Sequence, residues 1–319
     1  MALVGIARLA SQSELLEEKL AVTYFEIPSR SILNRTRPNM PFRWTINPYR
    51  GCEFGCKYCY ARYTHEYMEM PAEDFENRIY AKSAAAQLLR QELARIDRKD
   101  AIAIGTATDP YQPAERRFGR TRDILEVFAR EKGRHLGIVT KSDLVTRDID
   151  LLLEIARANV LGVSLTITTL DEKLARLLEP RAPRPALRLE AVRRLSAAGL
   201  CVGVMPNPIM PGLTDGERHL DRLARAARDA GALSFGGGPL YVSASARKIF
   251  FAFLEKEFPH LAQRYRELFA TGAYLGRAYK DALRQRVNRI RDRYGLAAGP
   301  IEYRPEVRIE EQGELFPLQ

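Results

Sequence analysis

Cysteine is scarce, with Cys52, Cys56, Cys59 and Cys201 the only four among 319 residues. So few thiols leave no disulfide framework to rely on. Long apolar runs are missing too. No stretch approaches the roughly 18 residues of a membrane span, and the opening MALVGIARLASQSELLEEKL turns polar and acidic too early for a secretory signal. No glycine-rich phosphate loop or dinucleotide fingerprint follows the first apolar run, which speaks against a nucleotide-binding fold. What remains, 46% hydrophobic and 28% charged residues, is the composition of a globular protein with a large core. The expected setting is cytoplasmic, with no membrane partner.

Acidic residues are outnumbered: 50 Lys and Arg stand against 40 Asp and Glu, a net charge of +10. That balance favours acidic partners such as nucleic acid without establishing one. The excess is densest in RAYKDALRQRVNRIRDR, Arg277 to Arg293, where seven bases face two acids. Leu283, Val287 and Ile290 recur at helical spacing, leaving Arg284, Arg286, Arg289, Arg291 and Arg293 mainly outward. A solvated helix face and a phosphate-binding surface both satisfy this pattern.

Apolar runs alternate with amphipathic stretches through the middle of the chain. Strands are expected at 44–49, 101–107, 135–141, 160–167, 200–206 and 232–237, and helices near 73–97, 119–132, 147–157, 171–178, 185–198 and 216–230. Such repetition predicts a parallel α/β architecture, either an open barrel or a doubly wound sheet. Residues 1–43 read as an extended N-terminal arm, 44–240 as the core, 241–298 as a helical extension (244–257, 260–270 and 274–294) and 299–319 as a flexible tail.

Three of the four cysteines fall in GCEFGCKYCY, residues 51–60. A structural zinc site usually takes four ligands in two separated pairs, and the nearest histidine is His65. Three thiolates in one tight loop suit a cubane iron–sulfur cluster, one cysteine per iron, with the fourth iron left open for chemistry. Zinc and a cluster both remain in play on the residues alone.

With Tyr58 before the third cysteine, the motif resembles the radical S-adenosylmethionine (SAM) superfamily. The resemblance implies a partial (β/α)6, TIM-like barrel in which Cys52, Cys56 and Cys59 hold a [4Fe–4S] cluster. It implies that SAM chelates the open iron, that one electron from a donor such as flavodoxin or ferredoxin cleaves the sulfonium, and that a 5′-deoxyadenosyl radical abstracts hydrogen from substrate. Chemistry in parallel α/β proteins gathers at strand C-termini. There the resemblance suggests Thr108 and Asp109, in GTATDPYQPAE, for the methionyl amino group and Lys141, in TKSD, for its carboxylate. Ser164 and Thr166 are candidates for ribose or carboxylate, Asn207, Pro208 and Ile209 would flank the adenine, and Tyr60 would contact it through backbone. Plain alternatives are a capped proline turn at Asp109, a solvated lysine, and hydroxyls that satisfy one another. Cys201, in the apolar LCVGV, reads as a buried inert thiol.

Across NPYRGCEFGCKYCYAR, TATDPYQPAE, TKSD, LEPRAPRP and AYKDALRQRVNRIRDRYGL, the chain is similar to spore photoproduct lyase and the wider DNA repair photolyase-like group. Those lyases return hydrogen from a cysteine at the end of the second strand. Here Thr106 or its neighbour occupies that position, and no cysteine lies between Cys59 and Cys201. A thiol S–H bond is weak enough to quench a carbon radical and a threonine O–H bond is not, so the resemblance stops short of that route. In the tail, QGELF (Gln312 to Phe316) is similar to peptides that dock bacterial repair proteins on the DNA sliding clamp, although Gly313 replaces the usual apolar residue; a tail folded onto its own domain is the alternative. The competing function classes are a radical SAM enzyme acting on nucleic acid, one acting on a peptide or small molecule, and a non-catalytic zinc or cluster module.

Overall fold

In the computed structural model, which describes residues 3–299 except 20 and 39, the strands begin with β1 (Glu14–Lys19), β2 (Val22–Ile27), β3 (Leu33–Arg35), β4 (Trp44–Ile46), β5 (Tyr49–Arg50) and β6 (Arg78–Lys82). They continue with β7 (Ala101–Ile104), β8 (His135–Thr140), β9 (Val160–Thr166), β10 (Val202–Met205) and β11 (Ser234–Phe235). Strands β4, β7, β8, β9, β10 and β11 lie side by side in chain order and run parallel, with β3 antiparallel on the outer edge of β4. A doubly wound sheet would reverse its order part-way. Unreversed order with right-handed crossovers puts the crossover helices on one face, and the sheet curls into a partial (β/α)6 barrel.

Register shows how the sequence builds the interior. Ile46, Ile104, Ile138, Val163 and Val202 form one row across the sheet and join the core packed under the helices. One residue earlier or later the side chains point the opposite way. Thr45, Ala103, Gly137 and Gly162 make one such row, and Val139, Ser164, Gly203 and Ser234 another. At Gly203 a Cβ would lie 2.3 Å from the Ser234 hydroxyl. Small residues on the concave face leave room for a ligand that bulky ones would displace.

Three expectations need correction. WTINPY is two strands, because Pro48 offers no N–H to a ladder and the chain crosses there from β4 in the main sheet to β5 in a second one. The helix expected near 73–97 is interrupted by β6, which leaves a short 3-10 turn at Ala72–Glu76 and an α-helix at Ala85–Leu93. Ile79, Tyr80 and Ala81 are buried on both faces, and pairing with β2 and β5 outweighs the helical pattern. Residues read as an extended arm also fold. A helix forms at Gly5–Ser11, the β1–β2 hairpin joins β6 and β5 in a sheet of order β1-β2-β6-β5, and β3 edges the main sheet. The partner that holds β2 is β6, too distant in sequence for local periodicity to reveal.

Helices Ala244–Glu257, Pro259–Leu268 and Arg277–Arg293 lie close to where periodicity placed them. Phe250, Leu254, Tyr265 and Phe269 share one apolar cluster with Cys52, Phe54, Cys56 and Tyr58, so the helical extension walls the cysteine loop. On the last helix, Arg286 donates to the Asp215 carbonyl at 2.6 Å and Arg293 pairs with Asp221 at 2.5 Å. Those two cations are tied to the adjacent segment rather than free. The tail peptide Gln312 to Phe316 lies outside the described residues. Among the described residues no helix is long and apolar enough to cross a membrane.

Candidate functional site

The cysteine loop is wired on several sides before any ligand is considered. Gly51, at φ +81°, turns the chain from β5 into the loop, where a Cβ would lie 2.7 Å from the Arg78 carbonyl. Its own carbonyl accepts from Thr108 Oγ1 at 2.6 Å and Gln112 Nε2 at 3.1 Å, while Gln112 Oε1 accepts from the Glu53 amide at 2.9 Å. Cys52 N–H donates to Phe75 O at 2.9 Å, and Lys57 N–H to Leu178 O at 2.9 Å. Arg62, fully buried, donates to Cys56 O at 3.3 Å and pairs with Glu76 at 2.5 Å.

Cys52 and Cys56 are buried and Cys59 is partly exposed. Burial pushes all three thiols up, Cys56 to about 12. Lys141 pulls the other way on Cys56 and Cys59, joined by Arg188 on Cys56 and Arg62 on Cys59. Thiols so placed keep their protons until a metal replaces them, and the surrounding cations then stabilise the thiolates. Among the described residues no three His, Cys, Asp or Glu groups are arranged to hold a single metal ion. A cubane asks for less convergence, since each thiolate meets a different iron. The three soft donors and their cationic surroundings therefore fit a cluster.

Tyr58 anchors a buried polar network beside the loop. Its hydroxyl donates to Glu179, which also accepts from Thr168 Oγ1 at 2.5 Å and pairs with Arg188 at 2.5 Å. Burial works against the charge on Glu179, but attraction from Arg188 and Lys141 outweighs it and holds the carboxylate below its ordinary range. Lys141 Nζ lies 5.8 Å from the centre of the Tyr58 ring. Burial disfavours its charge too, yet attraction from Glu179, and from Cys56 once that thiol is ionised, holds it above the ordinary lysine range. No local pattern singles out Glu179 and Arg188, because folding of the LEPRAPRP turn is what brings them together.

The other expected residues have defined places. Thr108 is committed to the loop through Gly51. Asp109 joins the ends of β7 and β8, accepting from Tyr111 N at 3.0 Å, Thr140 Oγ1 at 2.6 Å and Lys141 N at 2.7 Å. Its two oxygens offer about four acceptor positions, so one is left. Ser164 and Thr166 point from β9 into the concave face, where Ser234, not singled out from the sequence, joins them. Asn207 accepts from Gly238 N at 2.7 Å, and its carbonyl lies 3.3 Å from Thr168 Oγ1, whose proton goes to Glu179. Ile209 is fully buried in the core under the helices and bonded through its N–H to Gly238 O at 2.9 Å. The Tyr60 hydroxyl donates to Thr106 O and its carbonyl accepts from Ser243 Oγ at 3.2 Å. Cys201 is not fully buried as expected but partly exposed, just before β10.

A cysteine loop at the C-terminal mouth of a parallel, unclosed barrel is a recognisable combination. Residues 46–250 match the family model of the Radical SAM superfamily. The chain belongs to that superfamily. This radical SAM enzyme is 38% identical over 303 residues to an uncharacterized protein of Mycobacterium tuberculosis, covering 93% of this chain and 87% of that one. It is 32% identical over 179 residues to an uncharacterized protein of Methanocaldococcus jannaschii, covering 55% of this chain and 63% of that one. Spore photoproduct lyase complexed with dinucleoside spore photoproduct superposes with a TM-score of 0.65 at 15% identity, over 86% of this chain and 80% of that one. Likeness at such identity shows a shared fold. Membership of the radical SAM superfamily implies a [4Fe–4S] cluster and SAM as cofactors.

Proposed function

We propose that Cys52, Cys56 and Cys59 hold the cluster and that this radical SAM enzyme acts on nucleic acid. A groove of about 550 Å³ beside the end of β11 carries the substrate assignment; it is lined by Arg277, Lys280, Arg284 and Arg291 with Asp281 the one carboxylate among its lining residues. Four cations to one anion next to the barrel mouth suit a phosphate backbone. The lyase that shares the fold was solved with a dinucleoside lesion, which agrees with this reading.

The cluster and SAM supply one-electron cleavage of a sulfonium and a carbon radical that removes hydrogen from substrate. The chain's own residues bind and orient. Lys141 would pair with the methionyl carboxylate, and the free acceptor position of Asp109, beside Thr108, would take its ammonium. Ser164 and Thr166 on the concave face would meet ribose, the backbone of Tyr60 would meet adenine, and Asn207 and Ile209 would shape the adenine end. A flavodoxin or ferredoxin would deliver the electron. Docking of Gln312 to Phe316 on a DNA sliding clamp fits the same reading, and loss of clamp association on deleting Leu315 and Phe316 is its test.

Isotope transfer tests the substrate class. With nucleic acid prepared from deuterated nucleosides, deuterium should appear in 5′-deoxyadenosine. Label arriving only from a deuterated peptide or metabolite pool would exclude nucleic acid as the hydrogen donor.

A further inference from the structure

An aromatic path connects the cysteine loop to the basic groove. Tyr60, directly after Cys59, has its ring centre 6.2 Å from that of Tyr241, which lies 4.7 Å from that of Tyr274. Tyr60 is 41% and Tyr274 65% exposed. Rings exposed in one contiguous row, rather than singly, mark an interaction surface. Their spacing is held by backbone, since Tyr241 and Tyr274 face each other across an antiparallel bridge, Val242 N–H donates to Ala273 O at 3.0 Å, and Ser243 Oγ holds the Tyr60 carbonyl.

Both strands of that bridge lead into the groove. Gly236, Gly237 and Pro239 line it just before Tyr241, and Arg277 and Lys280 line it just after Tyr274. Lys280 has no ion-pair partner among the described residues, whereas Arg277 and Arg284 share the single carboxylate of Asp281. The groove therefore keeps net positive charge next to the ring path.

We infer that the tyrosines Tyr60, Tyr241 and Tyr274 and the groove cations form a binding track for single-stranded nucleic acid, whose bases stack on the rings while its phosphates follow Lys280 and Arg284. The inference rests on the nucleic-acid reading above and adds which form is bound. Paired bases in a duplex are stacked on one another and gain little from exposed tyrosines, while unpaired bases offer free faces to them. The track begins at the residue following Cys59, so it delivers an unstacked base towards the cluster loop.

Fluorescence anisotropy of the full chain tests this, using labelled oligo(dT) and oligo(U) about 12 nucleotides long, the oligo(dT)·oligo(dA) duplex, and poly(glutamate) as competitor, all at matched salt. The two single strands separate DNA from RNA as the source. Expected are single-strand binding about tenfold tighter than duplex, a roughly tenfold loss in Tyr274→Ala with Tyr274→Phe retaining affinity, and a salt slope lowered by about 0.7 in Lys280→Met. Equal affinity for duplex, or no loss in Tyr274→Ala, overturns the track and leaves nucleic acid as the substrate class. No binding to any oligonucleotide, or displacement by poly(glutamate) at equal charge, overturns both.

Discussion

The Arg188 guanidinium closes on the Glu179 carboxylate at 2.5 Å with both side chains 1% exposed. The same carboxylate holds the Tyr58 hydroxyl, one residue before Cys59. A buried pair of this kind is weak evidence for net stability, since desolvation offsets much of the attraction, but breaking it leaves one charge stranded. Its role here is to fix the loop that carries the thiols.

Glu179→Gln should lower unfolding stability by about 3–5 kcal/mol, read by denaturant titration, with part recovered in the Glu179→Gln, Arg188→Met double variant. Because the folded carboxylate is held below its ordinary range, its contribution is present above the unfolded value near 4.3 and is lost as pH falls further. The wild type should therefore lose its advantage over Glu179→Gln in acid. A gap that does not narrow below that value would contradict the pairing.

Lys82, 5% exposed in β6, is held at about 7, first by burial and then by repulsion from Arg50, with Glu92 opposing weakly. A lysine whose folded value lies below its unfolded one releases its proton on folding. Stability therefore rises with pH between about 7 and the unfolded value near 10.4. Lys82→Met should flatten that rise and raise Tm most at the low-pH end, as thermal scans at several pH values would show. A parallel offset at all pH values would mean that Lys82 is charged in the fold.

Lys141→Met should weaken SAM binding to the reconstituted protein by about 1.5–3 kcal/mol, the loss of one charge-assisted hydrogen bond. Equilibrium dialysis with labelled SAM measures it. An unchanged Kd would assign Lys141 to the thiolates alone.

What could be read from residues in order was local. Cys52, Cys56 and Cys59 announce themselves by spacing within one loop, and the parallel core follows from apolar runs that alternate with amphipathic stretches. The missed features need distant partners. β6 looks helical until β2 and β5 pair with it, Glu179 and Arg188 meet only when their turn closes, and the tyrosine path exists only because Tyr241 bridges Tyr274. Resemblance alone singles out Asn207 and Ile209, and the hydrogen bond from Gly238 N to Asn207 and the core packing of Ile209 are contacts that no sequence pattern conveys.

The most direct test of the account is 5′-deoxyadenosine formation after anaerobic reconstitution with iron and sulfide, on adding dithionite and SAM. The wild type should form it, and the Cys52→Ala, Cys56→Ala, Cys59→Ala triple variant should not. A wild type that binds zinc or a cluster without cleaving SAM, or a triple variant that still cleaves it, would contradict the assignment of the cysteine loop.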